Sequence, residues 1–167
     1  MSTLPVAPRV SIVVPSFNEL PQTVGASLAS VRAQTMGDFE CIVVDESTDE
    51  NRARACRECC EADSRFIYLH PSERLGLAGS LNLGLARARG ALVARFDADD
   101  LCNPERLALQ AAFLDAHPMV DVVGGALEVI GEDGAHQGVR HYPLEHLDIA
   151  RRMQLTNAIA HPTVMYR

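Results

Sequence analysis

Apolar and polar positions along this chain follow two alternating rhythms. Short runs of β-branched residues are separated by stretches in which apolar residues recur at helical spacing. Val10-Ser11-Ile12-Val13-Val14 reads as a buried strand stopped by Pro15. Val24, Leu28 and Val31 then mark one face of a helix, with Pro21 in its first turn. Phe39 to Val44 predicts a second strand ending in Asp45-Glu46. Ser47-Thr48-Asp49-Glu50 matches a capping box opening a helix that runs to about Ala62. Phe66 to Leu69 predicts a third strand. Leu77, Leu81 and Leu85 give the next helix an apolar face, which Gly90 would close as a C-terminal cap. Ala91 to Phe96 reads as a central strand, and Asn103-Pro104-Glu105 as a helix start whose apolar face is Leu107, Ala111 and Leu114 and whose end is Pro118. Val120 to Ile130 and Gln137 to Tyr142 predict a hairpin around Gly131 to Gly134. A helix from Leu144 to Gln154 and a strand from Thr163 to Tyr166 follow.

Strand and helix thus alternate four times before the hairpin. That order predicts an α/β fold, a mostly parallel sheet with helices on both faces. Ligands bind such sheets beyond the carboxyl ends of the strands. There the chain places Ser16-Phe17-Asn18-Glu19, Asp45-Glu46 and Asp97-Ala98-Asp99-Asp100. Three polar, mostly acidic clusters are therefore expected to share one sheet edge.

Composition narrows the partners. With 167 residues the chain is expected to form a single domain, and 47% hydrophobic residues supply an aliphatic core. A net charge of −7 argues against a nucleic-acid surface. The five cysteines, an odd number without a secretory leader, suggest reduced thiols and a cytoplasmic setting. Cys56, Cys59 and Cys60 resemble half a zinc site whose second half is missing. No apolar run approaches the length of a membrane span.

Carboxylates gathered without His or Cys favour a hard cation, Mg2+ or Mn2+, and such ions keep positions open for phosphate oxygens. The alternative for Asp97 to Asp100 is a solvated loop with Asp99 or Asp100 capping the next turn. With an ion the site suits a nucleoside diphosphate. Asp45 at a strand end can accept from a base N–H or a ribose hydroxyl. Arg74 either reaches base or phosphate or is a surface arginine ahead of a helix. Asn82, between Leu81 and Leu83, is expected to be partly buried. No glycine-rich turn follows the first strand and no G-x-x-x-x-G-K-[ST] loop occurs, which excludes dinucleotide and P-loop readings.

Val10-Ser-Ile-Val-Val-Pro-Ser-Phe-Asn-Glu19, Val43-Val-Asp45-Glu-Ser-Thr-Asp49, Arg74-x-Gly76-x2-Gly79-Ser-x-Asn82-x-Gly84 and Asp97-Ala-Asp99-Asp100 together resemble a family 2 glycosyltransferase with the GT-A, Rossmann-like fold. The blocks occur in order over residues 10 to 104, and Asn157 to Arg167 also resembles a late segment of such domains. Glu46-Ser47 departs from the commoner Asp-Gly. The resemblance implies sugar transfer, with inversion, from a nucleotide-activated donor (most often UDP-linked) to a hydroxyl of a glycan or lipid-linked acceptor, as in surface glycan synthesis. By position, Pro15, Phe17 and Glu19 would line the nucleotide pocket and Asp45 would read the base. Asp97 would contact the ribose or the metal-linked nucleotide, and Asp99, in the DxD-like motif, would ligate Mn2+ or Mg2+. The catalytic base is expected downstream of the His161-Pro162 segment, so residues 1–167 read as a donor-binding portion of a longer domain. Asp121, Glu128 and Asp148 read as surface carboxylates, and His161 either faces donor or acceptor or is structural. Peripheral attachment at the inner face of a membrane stays open. The rival readings are a nucleotidyltransferase, which would need a glycine-rich basic loop after the first strand, and a nucleotide-binding module without transfer.

Overall fold

A computed structural model describes residues 7–131 and 133–167; the lead before Ala7 and position 132 of the expected turn lie outside the described residues. The elements are β1 (Val10–Ser16), α1 (Pro21–Arg32), β2 (Phe39–Asp45), α2 (Glu50–Glu61), β3 (Phe66–Leu69), α3 (Gly76–Leu85), β4 (Leu92–Arg95), α4 (Arg106–Ala116), β5 (Val122–Val123), β6 (Leu127–Ile130), β7 (His136–Arg140), α5 (His146–Met153) and β8 (Met165–Tyr166). A single 3-10 turn, His161–Thr163, precedes β8. The main sheet has the order β3-β2-β1-β4-β8-β5, and β6-β7 form a separate ribbon. The pairs β3-β2, β2-β1 and β1-β4 are parallel, whereas β8 runs antiparallel to both β4 and β5.

Strand alternation assigns the two faces. Val10, Ile12 and Val14 of β1 join Val24, Leu28 and Val31 of α1, Cys56 and Cys60 of α2, and Leu107, Ala111 and Leu114 of α4 in one core. Val13 points to the opposite face, where Gly84 of α3 lies against it. Helices therefore cover both sides, as the alternating order predicts.

The structure corrects several boundaries, each for a local reason. Pro15 does not stop β1, which continues to Ser16 opposite Asp45. Val13 O accepts from Phe96 N on the β4 side, so Pro15, two residues on, turns its nitrogen to that same side, where pairing with β4 has ended at Val13. The leucines of α3 are not its buried face: Leu77 is 54% and Leu85 36% exposed, while Ser80 and Gly84 are buried. Gly90 is no helix cap, since α3 ends at Leu85. Instead its N–H donates to Ser11 Oγ at 2.8 Å, and a Cβ there would sit 2.5 Å from Ser11 N. The expected strand from Val120 to Ile130 breaks at Gly124-Gly125: β5 joins the main sheet and β6 leaves it. Gly125 N donates to Thr163 Oγ1 at 2.9 Å, tying the break to the 3-10 turn. At α2 the cap is Asp49, which accepts from Asn51 N and Arg52 N, rather than Ser47. At α4 Asn103 makes an Asx turn, accepting from Glu105 N at 2.9 Å, and the helix proper begins at Arg106.

Candidate functional site

The carboxyl ends of β1, β2 and β4 meet at one edge, and side-chain hydrogen bonds fix how their turns sit. Asn18, after β1, adopts φ 55°, a left-handed conformation asparagine tolerates. Its N–H donates to Ser47 Oγ at 2.8 Å, and its Oδ1 accepts from Thr48 N at 3.0 Å and Asp49 N at 3.1 Å. The turn carrying Phe17 and Glu19 is thereby pinned to the turn after β2.

The acidic turn after β4 is held by three polar side chains, two from α1 and one from the segment just after it. Ser27 Oγ donates to Asp97 O at 3.3 Å, and Ser30 Oγ accepts from Cys102 N at 2.9 Å. Gln34 donates through Nε2 to Asn103 O at 2.6 Å and accepts through Oε1 from Leu107 N at 3.0 Å. Beneath the turn, Arg106 donates to Arg95 O at 2.8 Å. The buried Arg95 guanidinium forms a two-pronged ion pair with Asp97. Asp97 is thus charge-balanced by the protein. Asp99 is exposed, and among the described residues no hydrogen bond or ion pair engages its carboxylate.

Pro15, Phe17, Glu19, Arg74, Asp97 and Asp99 all line one cleft of about 360 Å³, together with Glu46 and Ser80. The Arg74 guanidinium carbon lies 3.9 Å above the Phe17 ring centroid. Glu46 and Arg74 also border a neighbouring cleft of about 590 Å³, lined by Arg54, Arg57 and His70. The first cleft is electronegative. Burial, followed by the Asp99 charge, raises the Glu19 carboxyl above its ordinary range, with Arg52 partly offsetting them. Asp100 is raised by burial and then by Asp97 and Asp99. Among the described residues no three His, Cys, Asp or Glu side chains converge as a ready-made metal cage. A Mg2+ or Mn2+ ion held by one or two carboxylates and completed by substrate phosphates needs no such cage. An exposed Asp99, lining the same cleft as Glu19 and Asp97, fits that mode of binding.

Asp45 sits differently from its expected role. It is fully buried, and its Oδ1 accepts from Ser47 N at 3.0 Å and Ser47 Oγ at 2.5 Å while Oδ2 accepts from Tyr68 OH at 2.9 Å. The carboxylate therefore does not open onto the cleft, because its own turn and the next strand fill its lone pairs. Asn82 is exposed rather than partly buried. Together with His161, Arg95 and Tyr166 it borders a third cleft of about 230 Å³ between α3 and β4. Cys56 and Cys60 are packed into the core. Sequence reasoning passed over Ser27, Ser30 and Gln34, Tyr68, Arg95, Arg106 and the part played by Glu46. The α1 residues carried a signal: polar positions three and four apart on the same side as Val24, Leu28 and Val31.

A mainly parallel sheet flanked by helices, with acidic turns at its carboxyl edge, defines an α/β domain of the Rossmann-like class. The family model described as Glycosyl transferase family 2 matches residues 11–167, and the chain belongs to that family. It is 28% identical over 158 residues to the amylovoran biosynthesis glycosyltransferase AmsE of Erwinia amylovora, which covers 94% of this chain and 59% of that protein. The fold resembles the mannosyltransferase PcManGT from Pyrobaculum calidifontis, solved with GDP-Man and Mn2+, at TM-score 0.63 and 30% identity over 76% of this chain and 37% of that one. It also resembles S. aureus TarS 1-349 in complex with UDP, at TM-score 0.65 and 26% identity over 95% of this chain and 46% of that one. The chain spans about half the length of several curated relatives it matches. The helix-flanked, mainly parallel sheet and its match to these structures meet the GT-A fold expectation.

Proposed function

We propose that this chain binds the donor for an inverting, metal-dependent glycosyltransferase that moves a sugar from a nucleoside diphosphate, UDP in our reading, to a hydroxyl of a glycan or lipid-linked acceptor. The observation that carries this is the convergence of Pro15, Phe17, Glu19, Arg74, Asp97 and Asp99 on one cleft. The nucleotide-bearing complexes of the solved neighbours support it, and the name of the amylovoran enzyme supports a role in surface glycan synthesis.

In this reading Phe17 and Arg74, already stacked, take the base between or against them. Asp45, buried and bonded to Ser47 and Tyr68, holds the turn after β2 in place rather than meeting the base. Asp97, oriented by Arg95, faces the ribose. Asp99 would hold Mn2+ or Mg2+, and the bound ion would supply Lewis-acid stabilisation of the departing diphosphate. Glu19 borders the cleft beside Asp99, where a cation would offset the burial and the Asp99 charge that raise its carboxyl. The acceptor hydroxyl needs a general base within hydrogen-bond reach, a role assigned to none of the residues discussed here.

The five unpaired cysteines suit a reducing compartment, and we place the protein in the cytoplasm. No helix of the described residues is long and apolar enough to cross a membrane, so the attachment we propose is peripheral, at the inner face. A nucleotidyltransferase gains no support, since Phe17-Asn18-Glu19 follows β1 where that class needs a glycine-rich basic loop. Calorimetric titration of UDP and GDP, each with and without Mn2+, tests the reading. Metal-dependent binding of either nucleotide is expected, and its absence for both would overturn the proposal.

A further inference from the structure

Between the two larger clefts lies a carboxylate that the donor-binding scheme leaves unused. Glu46, the residue after β2, is only 8% exposed. Its Oε2 accepts from Leu75 N at 2.9 Å and Gly76 N at 3.0 Å, and its Oε1 accepts from the Ser80 hydroxyl. Arg74 Nε stands 4.0 Å from the same Oε2. These partners are Arg74 and Leu75 ahead of α3 and Gly76 and Ser80 in its first two turns. The helix has no cap of its own, because the residue at its N-cap is Leu75, whose side chain makes no hydrogen bond. Glu46 reaches across about thirty positions of sequence to do that work, placing a negative charge where the helix dipole favours one. Gly76 at φ 67° turns the chain into α3 in a conformation that glycine adopts freely. Burial pushes the Glu46 carboxyl up, but the Ser80 hydroxyl, the two backbone N–H groups and Arg74 outweigh it, so the group stays ionised.

Arg74 is the next residue along. Its side chain is 65% exposed, yet its guanidinium carbon sits 3.9 Å over the Phe17 ring. An exposed arginine on a bend between β3 and α3 has many rotamers, and holding it over one ring costs entropy. Anchoring the backbone on its carboxyl side reduces that cost in advance. We propose that Glu46 is a positioning residue: it latches the start of α3 so that Arg74 is set over Phe17, pre-forming the base-binding edge of the donor cleft. The inference rests on the donor-cleft reading for its consequence, but the latch is measurable without any nucleotide.

Two measurements test it on the whole chain. The first is amide hydrogen exchange of the free protein. Glu46→Ala, and the near-isosteric Glu46→Gln, should speed exchange at Leu75 and Gly76 by about tenfold or more, the scale set by losing a hydrogen bond to a charged group. Core amides of β1 and β2 should be unaffected. The second is a double-mutant cycle with Arg74→Ala, read as UDP affinity in the presence of Mn2+. Glu46→Ala should weaken binding about fivefold in the wild-type background and less than about twofold when Arg74 is already absent, the non-additivity expected of residues that act through one another. Unchanged exchange at Leu75 and Gly76 would overturn the latch. Equal losses in both backgrounds would overturn its action through Arg74 and make Glu46 a direct contact. If the wild-type chain binds no nucleotide, the donor-cleft reading fails and the exchange experiment alone decides the latch.

Discussion

Two glycines in the middle of helices make opposite predictions. Gly25 lies inside α1, where a Cβ would meet only Cys59 Sγ, at 3.9 Å, an ordinary contact. Gly84 lies inside α3, where a Cβ would fall 2.4 Å from Val13 Cγ1. Alanine at either site gains about 1 kcal/mol of helix propensity. At position 25 nothing opposes that gain, so Gly25→Ala should stabilise by about 0.5–1 kcal/mol. At position 84 the clashing atom belongs to a β-branched side chain that is 1% exposed, on a strand paired to both neighbours, so it cannot move aside. Overpacking of this kind costs about 1–3 kcal/mol and more when the backbone is fixed. We therefore expect Gly84→Ala to be destabilising by about 1–2 kcal/mol net. For a chain of this size 1 kcal/mol moves Tm by about 2–4 °C. Calorimetry should show Gly25→Ala melting about 1–4 °C higher and Gly84→Ala about 2–8 °C lower. If Gly84→Ala instead rises alongside Gly25→Ala, then α3 is not seated on Val13 and the placement of the Arg74 segment above it is wrong.

The remaining predictions concern charge and the acidic turn. Asp63, gripped by Arg65 through Nε and Nη2, has its carboxyl lowered from 3.8 to about 2, chiefly by those hydrogen bonds. A depressed carboxylate contributes stability above its unfolded value that disappears as pH falls through the folded one. Asp63→Asn should therefore cost about 2 kcal/mol at pH 7, with the difference from wild type closing between pH 3.8 and about 2 in denaturant titrations. A pH-independent difference would refute the ion-pair origin. Gln34→Ala strands Leu107 N and Asn103 O and should lose about 1–3 kcal/mol in urea unfolding. It should also weaken Mn2+-dependent UDP binding, because the Asp97 to Asn103 turn loses its anchor at Asn103 O. Lower stability with unchanged affinity would show that this tie does not shape the site.

The parts of this fold legible in the sequence were those where one residue type suffices. Phe66–Leu69 is the predicted strand residue for residue, and Val24, Leu28 and Val31 are buried as their spacing requires. The strand-end rule alone places Phe17, Glu19, Asp97 and Asp99 at one edge, and they line one cleft there. What was not legible depended on partners distant in sequence. Leu77 and Leu85 outline a plausible buried face, but the absence of a side chain at Gly84 decided which side of α3 approaches β1. Pro15 stops pairing only toward β4, a distinction that needs the strand order. Asp45 looked open because its acceptors are filled by Tyr68, on the neighbouring strand, and by a hydroxyl two residues away. Ser27, Ser30 and Gln34 were overlooked because polar residues beside a buried helix face read as surface until a loop is seen to need their hydrogen bonds.

The central claim is that Asp99 anchors a divalent ion for a nucleoside diphosphate. Asp99 is exposed and takes no part in the hydrogen bonds that fix its turn, so Asp99→Ala should leave Tm unchanged. The direct measurement is calorimetric titration of UDP into wild type and Asp99→Ala, with and without Mn2+. We predict that Mn2+ tightens wild-type binding by at least about tenfold, as a direct ion–phosphate contact warrants, and that the variant shows no such gain. A full Mn2+ enhancement in Asp99→Ala would contradict the account.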